Sequence, residues 1–286
     1  MVNLKKKIKQ IYRKRRIFWY YKNSKDPEIL ELINNLKIYG TRPFLGDFIK
    51  KYENFHTKVY REKGEGCFWV MHNGKKLFFS KDSYKQGVDI AYMKLNREQD
   101  INSPHRYIEN YEDLNDCYVI DAGAAEASFS LDAVDRARKI YIFECNPAWK
   151  EPLEKTFENY GDKVEVIDKF VSNVDSNDSI TIDTIFKRAI KENGFSYQKD
   201  KIFVKMDIEG MEEKAIRGMK KTLELAQHIQ LSICAYHRQD DEETIRKYFP
   251  ESEWEIKCSP SYMLFPYDEN QKPPYFRHGV LRITKK

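Results

Sequence analysis

The sequence predicts an α/β fold over residues 116–286: a doubly wound, mostly parallel seven-stranded sheet, preceded by a mixed helix and hairpin extension. Three observations carry this expectation. Short apolar runs recur at 118–122, 140–144, 164–167, 202–206, 229–235, 254–258 and 279–284. Helical stretches separate most of them, an alternation that implies right-handed crossovers and helices on both faces of a parallel sheet. The first run ends in small residues, Ala122-Gly123-Ala124-Ala125, with a helix expected from Ser128. Ligands of such sheets bind at the carboxyl ends of the strands.

The chain begins with a basic segment. Residues 1–25 hold ten Lys or Arg and no acid, so a formal charge of +5 for 286 residues conceals a body of about −5. Leu4, Ile8, Ile11, Tyr12, Phe18 and Trp19 fall near one face of a helix otherwise carrying Lys5, Lys6, Lys9, Arg13 and Arg16. That pattern suits either a peripheral contact of residues 1–20 with an anionic membrane or polymer, or a terminal helix packing on its own domain. Residues 26–115 form the extension. Asp26-Pro27 opens a helix ending at Gly40, and Asn73-Gly74 joins the apolar runs 67–71 and 76–79 into a hairpin. Helical signals return from Asp82 to Asn115, with Ser103-Pro104 read as a helix start. Later helices are expected over 147–160, capped by Asn146 and ended by Gly161, and over 211–226. No helix is evident between the last two strands, so these could close the sheet as an antiparallel hairpin.

With 41% hydrophobic and 33% charged residues the chain reads as a soluble globular protein rather than a disordered one. Cys67, Cys117, Cys145, Cys234 and Cys258 form no CxxC pair, which fits reduced thiols in a cytoplasmic protein. No run approaches the roughly 18 apolar residues needed to span a bilayer, and no nucleic-acid partner is expected.

The turn at Asp121, Ala122, Gly123, Ala124, Ala125 and Glu126 has the small residues that let a ligand approach a helix N-terminus. Glu144 ends the second strand, 23 residues after Asp121, where a carboxylate can hold a ribose diol. Either a nicotinamide cofactor or S-adenosylmethionine fits these two features. A pyrophosphate requires G-x-G-x-x-G, and Ala125 stands at the second glycine position, which favours the phosphate-free ligand.

Four segments, VIDAGAAEASFS, YIFECNP, the TID around Asp183, and VKMDIEGMEEKAIRGM with the downstream SICAYH, resemble the FkbM-type methyltransferases from Asp121 to about Tyr248. Ala127 departs from that family's usual glycine, and a left-handed backbone there would be strained. The resemblance implies a class I, Rossmann-like fold and S-adenosylmethionine-dependent O-methylation of a saccharide or polysaccharide precursor. It also implies that Asp121 and Gly123 border the methionine moiety and that Asn146 and Phe170 lie near the adenine.

Methyl transfer to a hydroxyl needs alignment and removal of a proton. Asp207 and Glu209 follow the fourth strand, and His237 ends the fifth. His237 is expected as general base or acceptor-positioning group, Asp207 as its orienting partner or the alternative base, and Glu209 as a substrate or metal contact. Together the three could ligate a divalent cation, yet carboxylates after strands are common without one, and no metal is expected. Lys205, inside an apolar run, should pair with one of these carboxylates. His105, Arg106, Tyr107 and Arg277, with Tyr275 and Phe276, could line a pocket for a small-molecule or glycan acceptor, or else pack the extension against the sheet. The competing functions are an NAD-linked oxidoreductase, and a non-catalytic glycan or membrane-surface module retaining the fold.

Overall fold

The computed structural model describes residues 4–64, 66–265 and 271–286. Helix α1 (Leu4–Tyr21) is followed by α2 (Pro27–Tyr39), whose start is held by the Asp26 carboxylate accepting from Glu28 N at 2.9 Å, with Pro27 in the first turn. Gly40, at φ +76°, ends it. Strands β1 (Val59–Arg61), β2 (Phe68–His72) and β3 (Lys75–Phe79) form an antiparallel meander. Its hairpin turns on Asn73 and Gly74, both at positive φ, as a two-residue primed turn requires. Leu77, Val70 and Phe79 share a core with Val119, Ile140 and Ile142 of the main sheet, so the extension packs into the sheet's own hydrophobic layer.

Helix α3 (Lys85–Glu98) stops well before the expected helix start at Ser103-Pro104. There the Ser103 hydroxyl accepts from His105 N at 3.1 Å and the Pro104 carbonyl accepts from the Ser259 hydroxyl, leaving residues 101–110 as a loop. Tertiary bonds to this segment outcompete the local helix signal.

The main sheet contains β4 (Cys117–Ala122), β5 (Lys139–Phe143), β6 (Val164–Ile167), β9 (Lys201–Met206), β10 (His228–Cys234), β11 (Trp254–Cys258) and β14 (Val280–Lys285), in the order β11-β14-β10-β9-β4-β5-β6. Strand β14 alone is antiparallel to its neighbours, inserted between β10 and β11. The last two strands are thus antiparallel partners as expected, but the second enters the sheet rather than extending its edge. Short pairs β7 (Phe170–Val171) with β8 (Ser179–Ile180), and β12 (Met263–Leu264) with β13 (Phe276–Arg277), lie outside it.

Helices α4 (Ser128–Ala133), α5 (Lys150–Phe157), α6 (Ile182–Asn193), α7 (Glu212–Arg217), α8 (Lys220–Leu225) and α9 (Asp241–Arg246) connect the strands. The single helix expected over 211–226 is two, because the chain passes Ser172 at Gly218. A Cβ on Gly218 would lie 2.0 Å from the Ser172 carbonyl. Asp183 caps the second piece, accepting from Lys221 N and Thr222 N. Apolar clusters fill both faces of the sheet. Among the described residues no helix is long and apolar enough to cross a membrane.

Candidate functional site

Two adjoining hollows open at the carboxyl ends of β4, β5 and β9. The larger, about 640 Å³, is walled by Gly123 and Ala125, by Glu144 and Asn146, by Phe170, and by residues 207–209. The smaller, about 190 Å³, shares Gly123, Ala125 and Asp207 with it and is lined on its far side by Glu98, His105, Tyr107, Glu126 and Tyr236. Volumes of about 300–1,000 Å³ are typical of small-molecule sites.

The turn after β4 brings its backbone against β9. Gly123 sits at φ +74°, and a Cβ there would lie 1.9 Å from the Asp207 carbonyl, so no other residue fits. Ala125 and Ala127 are also left-handed, at φ +48° and +58°. Each costs about 1–2 kcal/mol relative to glycine, so the strain foreseen at Ala127 is present. Glu144 accepts from Ala125 N and from Asn146 N, both at 2.8 Å, which ties its carboxylate to the turn while leaving lone pairs for a ligand. The Asn146 side chain accepts from Ala148 N, a cap, though the residue also borders the larger hollow. Phe170 is exposed at its rim.

Asp121 lies beneath the turn rather than in either hollow. It is fully buried, with Oδ1 3.0 Å from Lys205 Nζ and Oδ2 accepting from the Ser130 hydroxyl at 2.7 Å. Asp121 and Lys205 are register partners on adjacent strands. Lys205 therefore pairs with Asp121 and not with the carboxylates that follow its own strand. Its ammonium also donates to the Gly123 carbonyl at 2.7 Å and lies over the Tyr107 ring. Ala122 is buried in the sheet, while Ala124 and Glu126 face the smaller hollow.

Asp207 is the hub between the hollows. Its Oδ2 accepts from the Tyr107 hydroxyl at 2.7 Å and lies 3.5 Å from His105 Nε2, while Oδ1 lies 3.2 Å from His237 Nε2 and accepts from the Tyr236 hydroxyl at 3.3 Å. Burial opposes its charge, but His105, His237 and Lys205 overcome that and hold the carboxyl well below the usual carboxylate range. His237 lies between Asp207 and Glu212, with Nδ1 3.1 Å from Glu212 Oε1. Neither ring nitrogen is aligned for a hydrogen bond, so these are ion-pair contacts. Burial disfavours the imidazolium, yet the two carboxylates push His237 up to about 10. His105 is raised too: burial lowers it and Asp207 more than compensates. Glu126, in contrast, is pushed up to about 7 by burial, with Glu98 adding repulsion.

Glu209 does not stand beside Asp207. Strand β9 ends at Met206, and Glu209 is left-handed at φ +55° with its side chain 92% exposed, 3.7 Å from His237. Among the described residues the compact donor sets are His105–Asp207–Cys234, Glu212–His237–Asp241 and Glu242–Cys258–His278; the trio Asp207, Glu209 and His237 is not one of them.

His105 and Tyr107 reach the site, whereas Arg106 and Arg277 do not line either hollow. Arg106 donates to the Gln99 and Glu109 carbonyls and clamps the loop. Arg277 donates to the Tyr236 carbonyl at 2.9 Å and to Gln239 at 2.8 Å, bracing the strand end that carries Tyr236 and His237. Tyr275 and Phe276 pack against α1. Tyr236, Glu212 and Glu98 escaped the sequence reading. Tyr236 and Glu212 lie inside the AYH and EGMEE segments, where only their side-chain directions were missing; Glu98 carried no signal.

No protein-family model and no curated protein matches the chain. Solved structures similar to it include a putative SAM-dependent methyltransferase from Streptococcus mutans, at 13% identity and TM-score 0.41, covering 84% of this chain and 63% of that one. Magnesium protoporphyrin IX methyltransferase from Synechocystis with bound SAM is 16% identical, with TM-score 0.41 and coverage of 72% and 86%. Precorrin-6y C5,15-methyltransferase from Geobacter metallireducens is 16% identical, with TM-score 0.36 and coverage of 61% and 85%. The strand order, with one antiparallel strand inserted beside the fifth and hollows at the carboxyl ends of the parallel strands, is the doubly wound, mostly parallel seven-stranded α/β sheet expected from the sequence.

Proposed function

We propose that the protein is an S-adenosylmethionine-dependent O-methyltransferase whose acceptor is a saccharide or a related small polyhydroxyl molecule. The observation that carries the cofactor reading is the charge of the larger hollow: Glu144 and Asp207 line it and the exposed Glu209 stands at its edge, against one cation, Lys169. Such a lining suits a cationic sulfonium nucleoside and opposes a pyrophosphate, so it disfavours a nicotinamide dinucleotide. Glu144 would hold the ribose, Gly123 and Ala125 would admit the amino-acid portion, and Asn146 and Phe170 would border the adenine. The hydroxyl and saccharide assignments rest on the FkbM-type resemblance, which no family model supports, and on the smaller hollow's polar lining.

When bound, S-adenosylmethionine supplies an electrophilic methyl group on sulfur. The smaller hollow, adjoining at Gly123 and Asp207, would hold the acceptor. Two carboxylates line it with their ionisations pushed apart: Asp207 stays anionic, whereas Glu126 is pushed up to about 7. Such separation marks distinct roles. Asp207 orients the acceptor hydroxyl together with Tyr107 and Tyr236, and Glu126 receives its proton. His237, at about 10, is already protonated near neutrality. It therefore serves as a positioning cation rather than as the base.

Calorimetry tests the cofactor assignment: S-adenosylmethionine should bind, NADH should not, and Glu144→Ala should weaken binding about tenfold or more, the loss of one or two charge-assisted hydrogen bonds. Binding of NADH instead would overturn it. With a proven acceptor, the turnover of the wild type should rise through pH about 7, and Glu126→Gln should abolish that limb without changing cofactor affinity. If affinity falls and the pH profile stays, Glu126 belongs to the cofactor turn.

A further inference from the structure

Helix α1 has two faces with different fates. Ile17 is fully buried and Tyr21 is one helical turn later; the Tyr21 hydroxyl accepts from Tyr275 N and Phe276 N at 3.1 Å, and its ring stacks on Phe276. Tyr12, Arg15 and Trp19 follow an i, i+3, i+7 spacing that puts them on the opposite face. Trp19 is 70% and Tyr12 66% exposed, Ile11 beside them is 56% exposed, and Lys22 lies over the Trp19 ring at 5.1 Å. The helix is therefore docked and still presents an apolar, aromatic and basic surface.

We propose that this outward face is a docking surface for an anionic lipid bilayer. The packing of α1 on its own body and its contact with a membrane are then not alternatives, because different faces serve them. Charge selects the occupant: residues 1–25 carry ten cations and no acid, whereas the rest of the chain is net acidic. An anionic surface attracts the helix and repels the body. Exposed Trp, Tyr and Ile interleaved with cations match the interfacial zone, where amphipathic rings sit at headgroup level and apolar side chains enter the acyl boundary. A soluble polyanion would use the cations and leave the indole in water. The inference does not depend on the methyl-transfer reading.

Sedimentation of the full-length protein with phosphatidylcholine vesicles, with and without phosphatidylglycerol, tests it. Binding should require phosphatidylglycerol and weaken as salt is raised. Arg15→Gln with Lys22→Gln should lower the partition coefficient about fivefold per charge. Tyr12→Ala with Trp19→Ala should lower it about tenfold or more through lost apolar burial, and Trp19→Phe should retain most of it. None of these positions belongs to the docked face, so urea midpoints should stay unchanged. The proposal is overturned if anionic vesicles do not pellet the protein, if neutral ones pellet it equally, or if removing the aromatics leaves binding intact, the result expected of a purely electrostatic polyanion site.

Discussion

Replacing Lys205 by methionine should cost the fold about 3–5 kcal/mol, the usual consequence of breaking a buried ion pair from one side. The size follows from what each partner retains. Without Lys205, the Asp121 carboxylate is fully buried with the Ser130 hydroxyl, at 2.7 Å, as its hydrogen-bond donor. Without the Asp121 charge, Lys205 still donates to the Gly123 carbonyl at 2.7 Å and lies 4.9 Å from the centre of the Tyr107 ring. Asp121→Asn should therefore cost less, about 1.5–3 kcal/mol, the value of a hydrogen bond to a charged group. The double variant Asp121→Asn with Lys205→Met should fall short of the sum of the two, since no charge is then left unpaired. Urea unfolding followed by far-UV circular dichroism measures all three, with an unchanged m-value showing that the same surface unfolds. A loss below about 1 kcal/mol for Lys205→Met, or a larger loss for Asp121→Asn than for Lys205→Met, would refute this account of the pair.

Gly123→Ala should abolish S-adenosylmethionine binding by calorimetry, because the new Cβ would lie 1.9 Å from the Asp207 carbonyl and must push the turn away from β9. Tyr107→Phe removes the 2.7 Å donor to Asp207; it should cost about 1.5–3 kcal/mol of stability and lower kcat while leaving cofactor affinity unchanged, which turnover assays and calorimetry would separate. His237 is raised to about 10 and His278, beside Cys258 and Glu242, to about 9. Folding then binds protons above the ordinary histidine value, so their stabilisation is complete below pH about 6.5 and is lost as pH rises toward those values. Urea midpoints should accordingly fall from pH about 6.5 to 10, and His237→Gln should flatten part of that slope; an unchanged slope would remove His237 from the explanation.

The centre of the sheet was legible because β4, β5, β9 and β10 are buried on both faces and read as apolar runs, and the turn at 122–125 was legible because only small residues permit that approach. Glu144 and Asp207 were expected from their positions at strand ends, and both line the larger hollow. What the sequence could not supply was direction and partner. Lys205 was expected to pair with Asp207 or Glu209, and the β4–β9 register gives it Asp121 instead. Glu209 follows Asp207 by two residues, but a left-handed backbone after β9 turns it to solvent. Ser103-Pro104 carries a helix-start signal, yet bonds from residues 104–107 to Ser232, Tyr236, Asp207 and Ser259, all distant in sequence, hold that segment as a loop. Local chemistry proposes where an element begins and ends, and tertiary contacts decide whether the proposal stands. The protonation of His237 and Glu126 depends on charges and burial contributed by other elements, and only the folded chain brings those together.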